Sequence, residues 1–206
     1  MIWNDTYNKL AQSVLYNTSG SKVVLVDKSD NLELIGEGRS AFVFRIQSSD
    51  KVIKVFFPTH RHLVDEEVEV YKVLFGNPYF PRVYESGNNY LVIDFIKGQT
   101  LFNCLTKGIF IKDKYINEID KALKLAKGEG LNPSDIHLRN ILITEEGSVK
   151  IIDVARYRQK HSCPQWNDLT KAYKYYKLMM FPKKLPAFIL NFIAFIYKKR
   201  WLQLFF

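Results

Sequence analysis

Short apolar runs separated by polar turns dominate the first half of the chain. Four of these runs, at residues 22–26, 32–36, 41–46 and 51–57, are rich in β-branched and aromatic side chains, which favour strands. The stretch 80–96, FPRVYESGNNYLVIDFI, has the pattern of two more strands around a Gly-Asn turn. Together these runs predict a small antiparallel sheet.

Apolar positions at helical spacing predict helices before, between and after the strands. The amino-terminal helix is expected to end near residues 17–20 (NTSG). It is predicted from six apolar positions: Trp3, Tyr7, Leu10, Ala11, Val14 and Leu15. A second helix is expected over 64–75, and further helical patterns run from 101 to 127 with a break at 107–110 (KGIF). Two short strands and a helical tail rich in Lys and Tyr are expected to follow.

This order of elements predicts an α+β chain with two lobes. The first lobe has a small antiparallel sheet and one helix, and the second is mostly helical. A chain of 206 residues that is 47% hydrophobic can build one well-packed domain. Within that single domain we assign residues 1–31 to an amino-terminal helix and strand. Residues 32–97 are assigned to the N-lobe, and residues 98–206 to a shortened C-lobe with a basic, apolar tail.

The basic excess of the chain is confined to the basic tail, residues 156–206. This segment contains 11 Lys and Arg residues and one acidic residue, Asp168. It predicts an acidic neighbour, which could be phospholipid, nucleic acid or an acidic protein. Two widely separated cysteines, Cys104 and Cys163, and the lack of a signal-peptide pattern lead us to expect a cytoplasmic protein.

The most apolar part of the basic tail is 185–197, LPAFILNFIAFIY, which lysines bracket on both sides. Thirteen helical residues span about 20 Å, short of the roughly 30 Å hydrocarbon core of a bilayer. A helix that is apolar on all sides is usually buried, so burial under the shortened lobe is favoured. The alternative is a helix peripheral to the inner face of a membrane, or one that docks a partner. Residues 171–177 (KAYKYYK) could stack on nucleic acid, but nothing else in the sequence supports that partner.

The first candidate chemistry lies in the sheet region. Residues 36–43, GEGRSAFV, form a glycine-containing turn between two strands, where backbone N–H groups can approach phosphates closely. Lys54 stands in the middle of an apolar strand, and either its ammonium extends to solvent from an edge strand or a partner holds it. The next helix offers Glu66, Glu67 and Glu69 as partners. Taken alone, the glycine-containing segment fits an ordinary turn, Lys54 fits a lysine that extends to solvent, and the glutamates fit a solvated first helical turn.

A second set of polar residues follows the helices. Asp135 and Asn140 share one loop, and Asp153 ends the apolar run 149–153 (VKIID). Phosphoryl transfer requires an in-line nucleotide, metal ions that neutralise charge, and a group that receives the acceptor's proton. Asp135 suits the proton, and Asn140 and Asp153 supply the oxygen ligands that Mg²⁺ favours. A hairpin with polar turn residues is the alternative, but the order of all the parts favours a nucleotide-phosphate site.

On these motifs, residues 32–175 resemble the protein-kinase-like superfamily. Within it they resemble the small bacterial serine/threonine-kinase-like proteins of the YrzF type, with kinship to RIO and aminoglycoside-phosphotransferase kinases. The resemblance implies a phosphate-covering loop made by Gly36, Glu37, Gly38, Arg39, Ser40, Ala41 and Val43. It implies that Lys54 and Glu67 form the strand-lysine and helix-glutamate pair, and that backbone groups of Asp94 and Ile96 hold adenine. It also implies catalysis by Asp135 and metal binding by Asn140 and Asp153.

The activity implied is an ATP- and Mg²⁺-dependent kinase that acts on serine or threonine of a protein or of the chain itself. One alternative is a kinase of sugars or aminoglycoside-like small molecules. His137 favours it, since such kinases often have His at that position; His137 could steady the phosphoryl group or simply pack the loop. The other alternative is a nucleotide-binding scaffold that docks a membrane or a partner.

The chain also departs from the protein-kinase pattern. Ala41 replaces the third glycine, and Pro133 and Ser134 replace the His-Arg pair before the catalytic aspartate, so anchoring of a phosphorylated activation loop is not expected. Asp-Phe-Gly becomes Asp-Val-Ala, and only 53 residues follow Asp153. Asp168 is expected to brace the backbone of the catalytic loop; the alternative is an acidic residue that interacts with a helix dipole at its amino terminus.

Overall fold

A computed structural model describes residues 5–20, 22–161, 163–178 and 180–202. The helices are α1 (Asp5–Gln12), α2 (His62–Val73), α3 (Leu101–Lys107), α4 (Asp113–Gly128), α5 (Gln165–Tyr176) and α6 (Ala187–Leu202). The first seven strands are β1 (Leu15–Ser19), β2 (Lys22–Asp27), β3 (Leu32–Glu37), β4 (Ala41–Ile46), β5 (Lys51–Phe56), β6 (Val83–Ser86) and β7 (Tyr90–Asp94). The last three are β8 (Gly98–Thr100), β9 (Ile141–Thr144) and β10 (Val149–Ile151), and a single 3-10 turn, Pro58–His60, precedes α2.

The predicted sheet forms as five antiparallel strands in the order β3-β4-β5-β7-β6. The predicted strand at 22–26 forms too, but β2 pairs with β1 in a separate hairpin. The predicted end of the amino-terminal helix near 17–20 is therefore wrong. The helix ends at Gln12 because residues 15–19 give their backbone hydrogen bonds to β2, while the Tyr16 ring packs 5.6 Å from that of Phe57. Trp3 lies outside the described residues.

The two faces of the five-stranded sheet have different neighbours, since successive side chains of a strand point to opposite sides. On one face, Ile53 and Val55 pack in a cluster with α1 and the β1–β2 hairpin. On the other face, Val52 and Phe56 of the same strand pack toward α2 and the second lobe. Lys54 lies between these last two positions and so points toward the second lobe.

The second lobe contains α3, α4 and a three-stranded sheet in the order β10-β9-β8. Strand β8 was not predicted, because its three residues carry no apolar pattern. It begins at Gly98, where an added Cβ would lie 2.3 Å from the carbonyl oxygen of Ile143. Only glycine allows this approach. The Thr100 hydroxyl accepts a hydrogen bond from the Asn103 N–H (3.0 Å) and thereby caps α3.

The α+β organisation with a small antiparallel sheet and a mostly helical second lobe is confirmed. A single cluster of buried side chains joins the lobes, from Leu91 and Ile93 in β7 to Ile119 in α4 and Tyr157. The division into residues 1–31, 32–97 and 98–206 stays a prediction.

The basic tail differs from its prediction in two respects. Burial of the apolar helix is wrong, because most of the large apolar side chains described in α6 are exposed and only Leu190 among them is buried. Bracing of the catalytic loop by Asp168 is also wrong. Its Oδ2 accepts a hydrogen bond from the Tyr197 hydroxyl of α6 (2.8 Å), so Asp168 holds α6. Over the described residues, no helix is both long and apolar enough to span a bilayer.

Candidate active site

Lys54 lies where the two lobes meet. Strand β5 runs between β4 and β7, so Lys54 is not on an edge strand and its side chain is buried. Its Nζ donates to Glu67 Oε2 at 2.7 Å and to Asp153 Oδ1 at 3.0 Å. Between an outward lysine and one held by a partner, the structure shows the second.

Helix α2 decides which glutamate pairs with Lys54. Glu67 is completely buried, because it shares the inner face of α2 with Val64, Val70 and Tyr71. Glu69 is exposed and pairs with Lys72 one helical turn away, at 2.7 Å. The spacing of Glu67 from Val64, Val70 and Tyr71 is that of neighbours on one helical face.

The charges at this point stabilise one another. Burial alone would lower the pKa of Lys54, but the carboxylates of Glu67 and Asp153 raise it above its ordinary value, so the ammonium stays charged. Burial raises the pKa of Glu67 above its ordinary value, although the Lys54 ammonium acts to lower it. Burial also acts to raise the pKa of Asp153, but Lys54 outweighs it, and the net shift is downward. The site therefore holds a fixed positive charge close to an ionised, half-exposed carboxylate.

The glycine-containing turn closes the β3–β4 hairpin next to Lys54. The Gly38 N–H donates to the Ala41 carbonyl at 2.9 Å, and the Phe57 N–H donates to the Ser40 carbonyl at 2.8 Å. Val43 pairs with Lys54 across the β4–β5 ladder, so the two side chains lie on the same face of the sheet. The last residue of the predicted phosphate-covering loop, Val43, therefore lies beside Lys54 on that face of the sheet.

The loop formed by residues 132–140, here called the Asp135 loop, brings Asp135 and Asn140 together. Asp135 has a left-handed backbone with φ of 59°, a conformation in which Asp and Asn are enriched among non-glycine residues. Asn140 Nδ2 donates to the Asp135 carbonyl at 3.1 Å, so a metal ligand from this side chain would have to be its oxygen. The Asn140 N–H donates to the His137 carbonyl at 2.9 Å, so the whole loop is internally braced.

Asp153 is connected to the Asp135 loop through the backbone. The Ile152 N–H donates to the Asn140 carbonyl at 2.9 Å. Asp153 was predicted to end a strand, but β10 ends at Ile151, and Asp153 adopts a left-handed backbone with φ of 61° two residues later. That turn directs its carboxylate back toward Lys54.

His137 is neutral at neutral pH. Burial lowers its pKa below the ordinary value of 6.5, and the positive charges of Arg139 and Arg39 act in the same direction. The Arg139 N–H donates to His137 Nδ1 at 3.3 Å, so the proton of the neutral ring is assigned to Nε2. Nε2 lies 3.9 Å from Asp135 Oδ1.

Sequence reasoning missed several residues that shape this site. Arg156 Nε lies 3.7 Å from Asp135 Oδ2. The Ser134 hydroxyl donates to the Arg156 carbonyl, and Asn132 Nδ2 donates to the carbonyls of Gln159 and His161 at 2.9 and 2.8 Å. A usable signal was that the side chains making these three hydrogen bonds belong to Asn and Ser, which often bond to backbone groups.

The residues predicted to hold adenine lie at the connector between the lobes. Both carboxylate oxygens of Asp94 accept hydrogen bonds within the first lobe. Oδ2 accepts from the Arg82 N–H and Oδ1 from the Tyr84 hydroxyl, both at 2.7 Å. Asp94 thus ties β7 to β6 through its side chain. Adenine recognition by the backbone of Asp94 and Ile96 stays a prediction.

The sequence of the chain is 46% identical over 197 residues to "Putative serine/threonine-protein kinase YrzF" of Bacillus subtilis (strain 168). The match covers 94% of this chain and 92% of that protein. This chain is a kinase-like protein of the YrzF family. The resemblance found in its sequence motifs is confirmed, and so is the two-lobed kinase-like fold.

Other relatives of this YrzF-family chain also carry kinase names. "Probable serine/threonine-protein kinase CPE1738" of Clostridium perfringens (strain 13 / Type A) is 28% identical over 148 residues, which is 63% of this chain. "Probable cAMP-dependent protein kinase catalytic subunit" of Encephalitozoon cuniculi (strain GB-M1) is 32% identical over 98 residues, which is 44% of this chain. The matches cover 22% and 30% of these two relatives. No protein-family model matches the chain. The relatives support a kinase-like phosphotransferase.

The residues of this YrzF-family site fit a metal shared with a nucleotide. Within the described ranges, no three His, Cys, Asp or Glu side chains cluster to hold a metal by themselves. Mg²⁺ in phosphoryl-transfer sites is usually bound by one or two carboxylates together with substrate phosphates. The half-exposed carboxylate of Asp153 and the side-chain oxygen of Asn140 are donors of that kind.

Proposed function

We propose that the chain is a kinase that transfers the γ-phosphoryl group of Mg²⁺-bound ATP to a serine or threonine hydroxyl, of another protein or of the chain itself. The observation that carries the proposal is the position of Lys54 Nζ, which lies 2.7 Å from Glu67 and 3.0 Å from Asp153. A buried ammonium held by carboxylates at the meeting point of two lobes suits the recognition of nucleotide phosphates.

Each group has a role that follows from its contacts. Glu67 fixes the Lys54 ammonium, and the backbone N–H groups of the 36–43 turn border the same cleft. Asp135 is the proton acceptor. Its contacts to Arg156 and His137, at 3.7 and 3.9 Å, are longer than hydrogen bonds, so both carboxylate oxygens can take a new partner.

The reaction then balances without other reactants. The acceptor hydroxyl donates its proton to Asp135, its oxygen forms a bond to the γ-phosphorus, and the bond between that phosphorus and the β–γ bridging oxygen breaks to release ADP. Mg²⁺, held through Asp153 and Asn140, would neutralise charge on the phosphates. Lys54 supplies a second, fixed positive charge to the same phosphates.

A small-molecule hydroxyl is the second candidate acceptor. The neutral ring of His137 beside Asp135 favours it, because an Nε2–H donor there could position a small polar acceptor or the phosphoryl group. The short second lobe agrees with such an acceptor. A scaffold without catalysis is disfavoured, since it has no need of Lys54, Asp135, Asn140 and Asp153 together.

The test is transfer of label from γ-labelled ATP in the presence of Mg²⁺, followed into protein and into phosphate. Asp135→Asn and Asp153→Asn are suitable variants, because Asn readily adopts the left-handed backbone that both positions have. Glu129→Gln, an exposed change after α4, is the matched control. Transfer by the parent and the control, lost in both site variants, would support the kinase. Absence of ATP binding by the parent chain would refute it.

If the parent binds ATP but does not label itself, adding casein or a mixture of sugars and aminoglycosides separates the two acceptor classes. Label on casein supports the protein acceptor, and label on a small molecule supports the second candidate.

A further inference from the structure

Among the described side chains of helix α6, five large apolar ones face solvent. The exposed ones are Phe188, Phe192, Ile193, Phe195 and Ile196. At about 100° per residue they cover one face of roughly 160°, and Phe188 and Phe192 are 72% and 62% exposed. A helix on the surface of a globular protein normally turns such a face inward. An exposed apolar patch of this kind marks an interaction site.

The opposite side of α6 is attached to the body of the protein. The Tyr197 hydroxyl donates to Asp168, and Leu190 is buried. Arg139 Nη2, in the Asp135 loop, donates to Asn191 Oδ1 at 2.9 Å. Just before α6, the Leu185 N–H donates to the Leu105 carbonyl at 2.9 Å. The helix is therefore held in a defined orientation with its apolar face outward.

The charge around α6 identifies the chemistry of the partner. Residues 183–200, which begin just before α6 and run along it, contain five Lys and Arg residues and no Asp or Glu. Asp168 of α5 contacts this segment through the Tyr197 hydroxyl. A surface that accepts Phe and Ile side chains and also attracts this charge must be both apolar and anionic. Nucleic acid is anionic, but it would leave Ile193 and Ile196 without an apolar partner. The interface of a bilayer that contains acidic phospholipid offers both properties over a broad, flat face.

We propose that α6 is a docking helix that lies in the headgroup region of an anionic membrane. Its five exposed apolar side chains enter the acyl boundary, while lysines such as the exposed Lys184 contact the headgroups. Sixteen helical residues measure about 24 Å, so the helix lies in the interface and does not cross it. Because Asn191 contacts Arg139, docking holds the Asp135 loop next to the lipid. This inference does not depend on the proposed kinase activity.

The test is sedimentation of the full chain, without nucleotide, with vesicles of phosphatidylcholine alone or mixed with phosphatidylserine. Binding is expected to the mixed vesicles only. Phe192→Ser and Ile196→Ser are each expected to weaken it about tenfold, since burial of a large apolar side chain is lost. Lys184→Glu is expected to weaken it about fivefold or more. Phe75→Ser is the matched control, because Phe75 is 82% exposed but follows α2 in the other lobe.

Unchanged thermal unfolding temperatures would show that the α6 variants are folded. Equal vesicle binding by the parent and the α6 variants would overturn the proposal, as would absence of binding to the mixed vesicles. In that second case, a dimer seen by light scattering and abolished by Phe192→Ser would show that a second copy of the chain covers the face instead. Kinase activity would remain a separate question in every case.

Discussion

Lys54 Nζ lies 3.0 Å from Asp153 Oδ1, although 99 positions separate the two residues along the chain. One belongs to the central strand of the first lobe, and the other follows the last strand of the second lobe. The contact brings the fixed positive charge of one lobe to the candidate metal ligand of the other. A nucleotide phosphate that binds there must be recognised by both lobes at once.

Asp153→Asn is expected to remove the Mg²⁺-dependent part of ATP binding. The amide keeps the shape of the side chain but loses the charge that a hard cation favours. Loss of one contact to a charged group costs about 1.5–3 kcal/mol, so affinity for Mg²⁺-ATP should fall about tenfold or more. Titration calorimetry with and without EDTA measures this difference, and Glu145→Gln, an exposed change after β9, is the control. An unchanged response to Mg²⁺ in Asp153→Asn would contradict the metal assignment.

Glu67→Ala is expected to destabilise the fold strongly. It leaves the buried Lys54 ammonium with Asp153 alone and opens space in the inner face of α2. Removal of one partner of a buried ion pair costs about 3–5 kcal/mol of unfolding free energy. We expect a loss near about 3 kcal/mol, because Asp153 still pairs with Lys54. Urea denaturation gives the value. Glu69→Ala, which breaks only an exposed pair with Lys72, should change stability little. Similar effects of the two variants on the unfolding free energy would show that the buried Lys54–Glu67 pair does not stabilise the fold.

His137 is expected to make stability depend on pH. Burial lowers its pKa in the folded chain below 6.5, so the unfolded chain binds more protons as pH falls below that value, and stability falls with it. A difference of one pKa unit corresponds to about 1.4 kcal/mol for a fully buried group, and solvent screening makes the effect smaller at His137, whose side chain is 43% exposed. His137→Gln should flatten the unfolding free energy between about pH 7 and about pH 5.5, measured by urea titration at each pH. His62→Gln, an exposed change in α2, should retain the parent slope. If the unfolding free energy of His137→Gln depended on pH as steeply as that of the parent, another group would be responsible.

Asn132→Ala is expected to loosen the segment that follows Asp153. It removes the donors to the carbonyls of Gln159 and His161. Two lost hydrogen bonds of this kind cost about 1–3 kcal/mol. Hydrogen exchange followed by mass spectrometry should show faster exchange over residues 156–161, while Asn117→Ala, at an exposed position of α4, should not. Equal protection of the segment in both variants would mean that other contacts hold it.

The order of chemical groups could be predicted from the sequence, and the resemblance pointed to Glu67 as the partner of Lys54. The contact of Lys54 with Asp153 could not be predicted. The motifs placed Lys54, Asp135, Asn140 and Asp153 on their elements, because each residue sits at a local signal such as a strand centre or a polar loop. The resemblance favoured Glu67 over Glu66 and Glu69, and the orientation of α2 against the sheet is what buries Glu67 beside Lys54. The approach of Arg156 to Asp135 depended on a turn that no local pattern reveals.

The sequence prediction of secondary structure failed where backbone pairing with another strand decided the structure. Leu15 continues the helical spacing of apolar side chains, yet it begins β1, because residues 15–19 pair with β2 in an antiparallel ladder. Strand β8 has three residues without an apolar pattern and forms by pairing with β9.

The sequence by itself determined the strands of the main sheet, the helices α2 to α4 and the chemistry available to the cleft. These depend on side-chain periodicity and residue type, which are local properties. Only the tertiary structure decided that Lys54 is held between two carboxylates and that α6 presents its apolar face outward. Both outcomes depend on how the lobes and the basic tail pack, because periodicity shows which side chains share a face but not what that face meets.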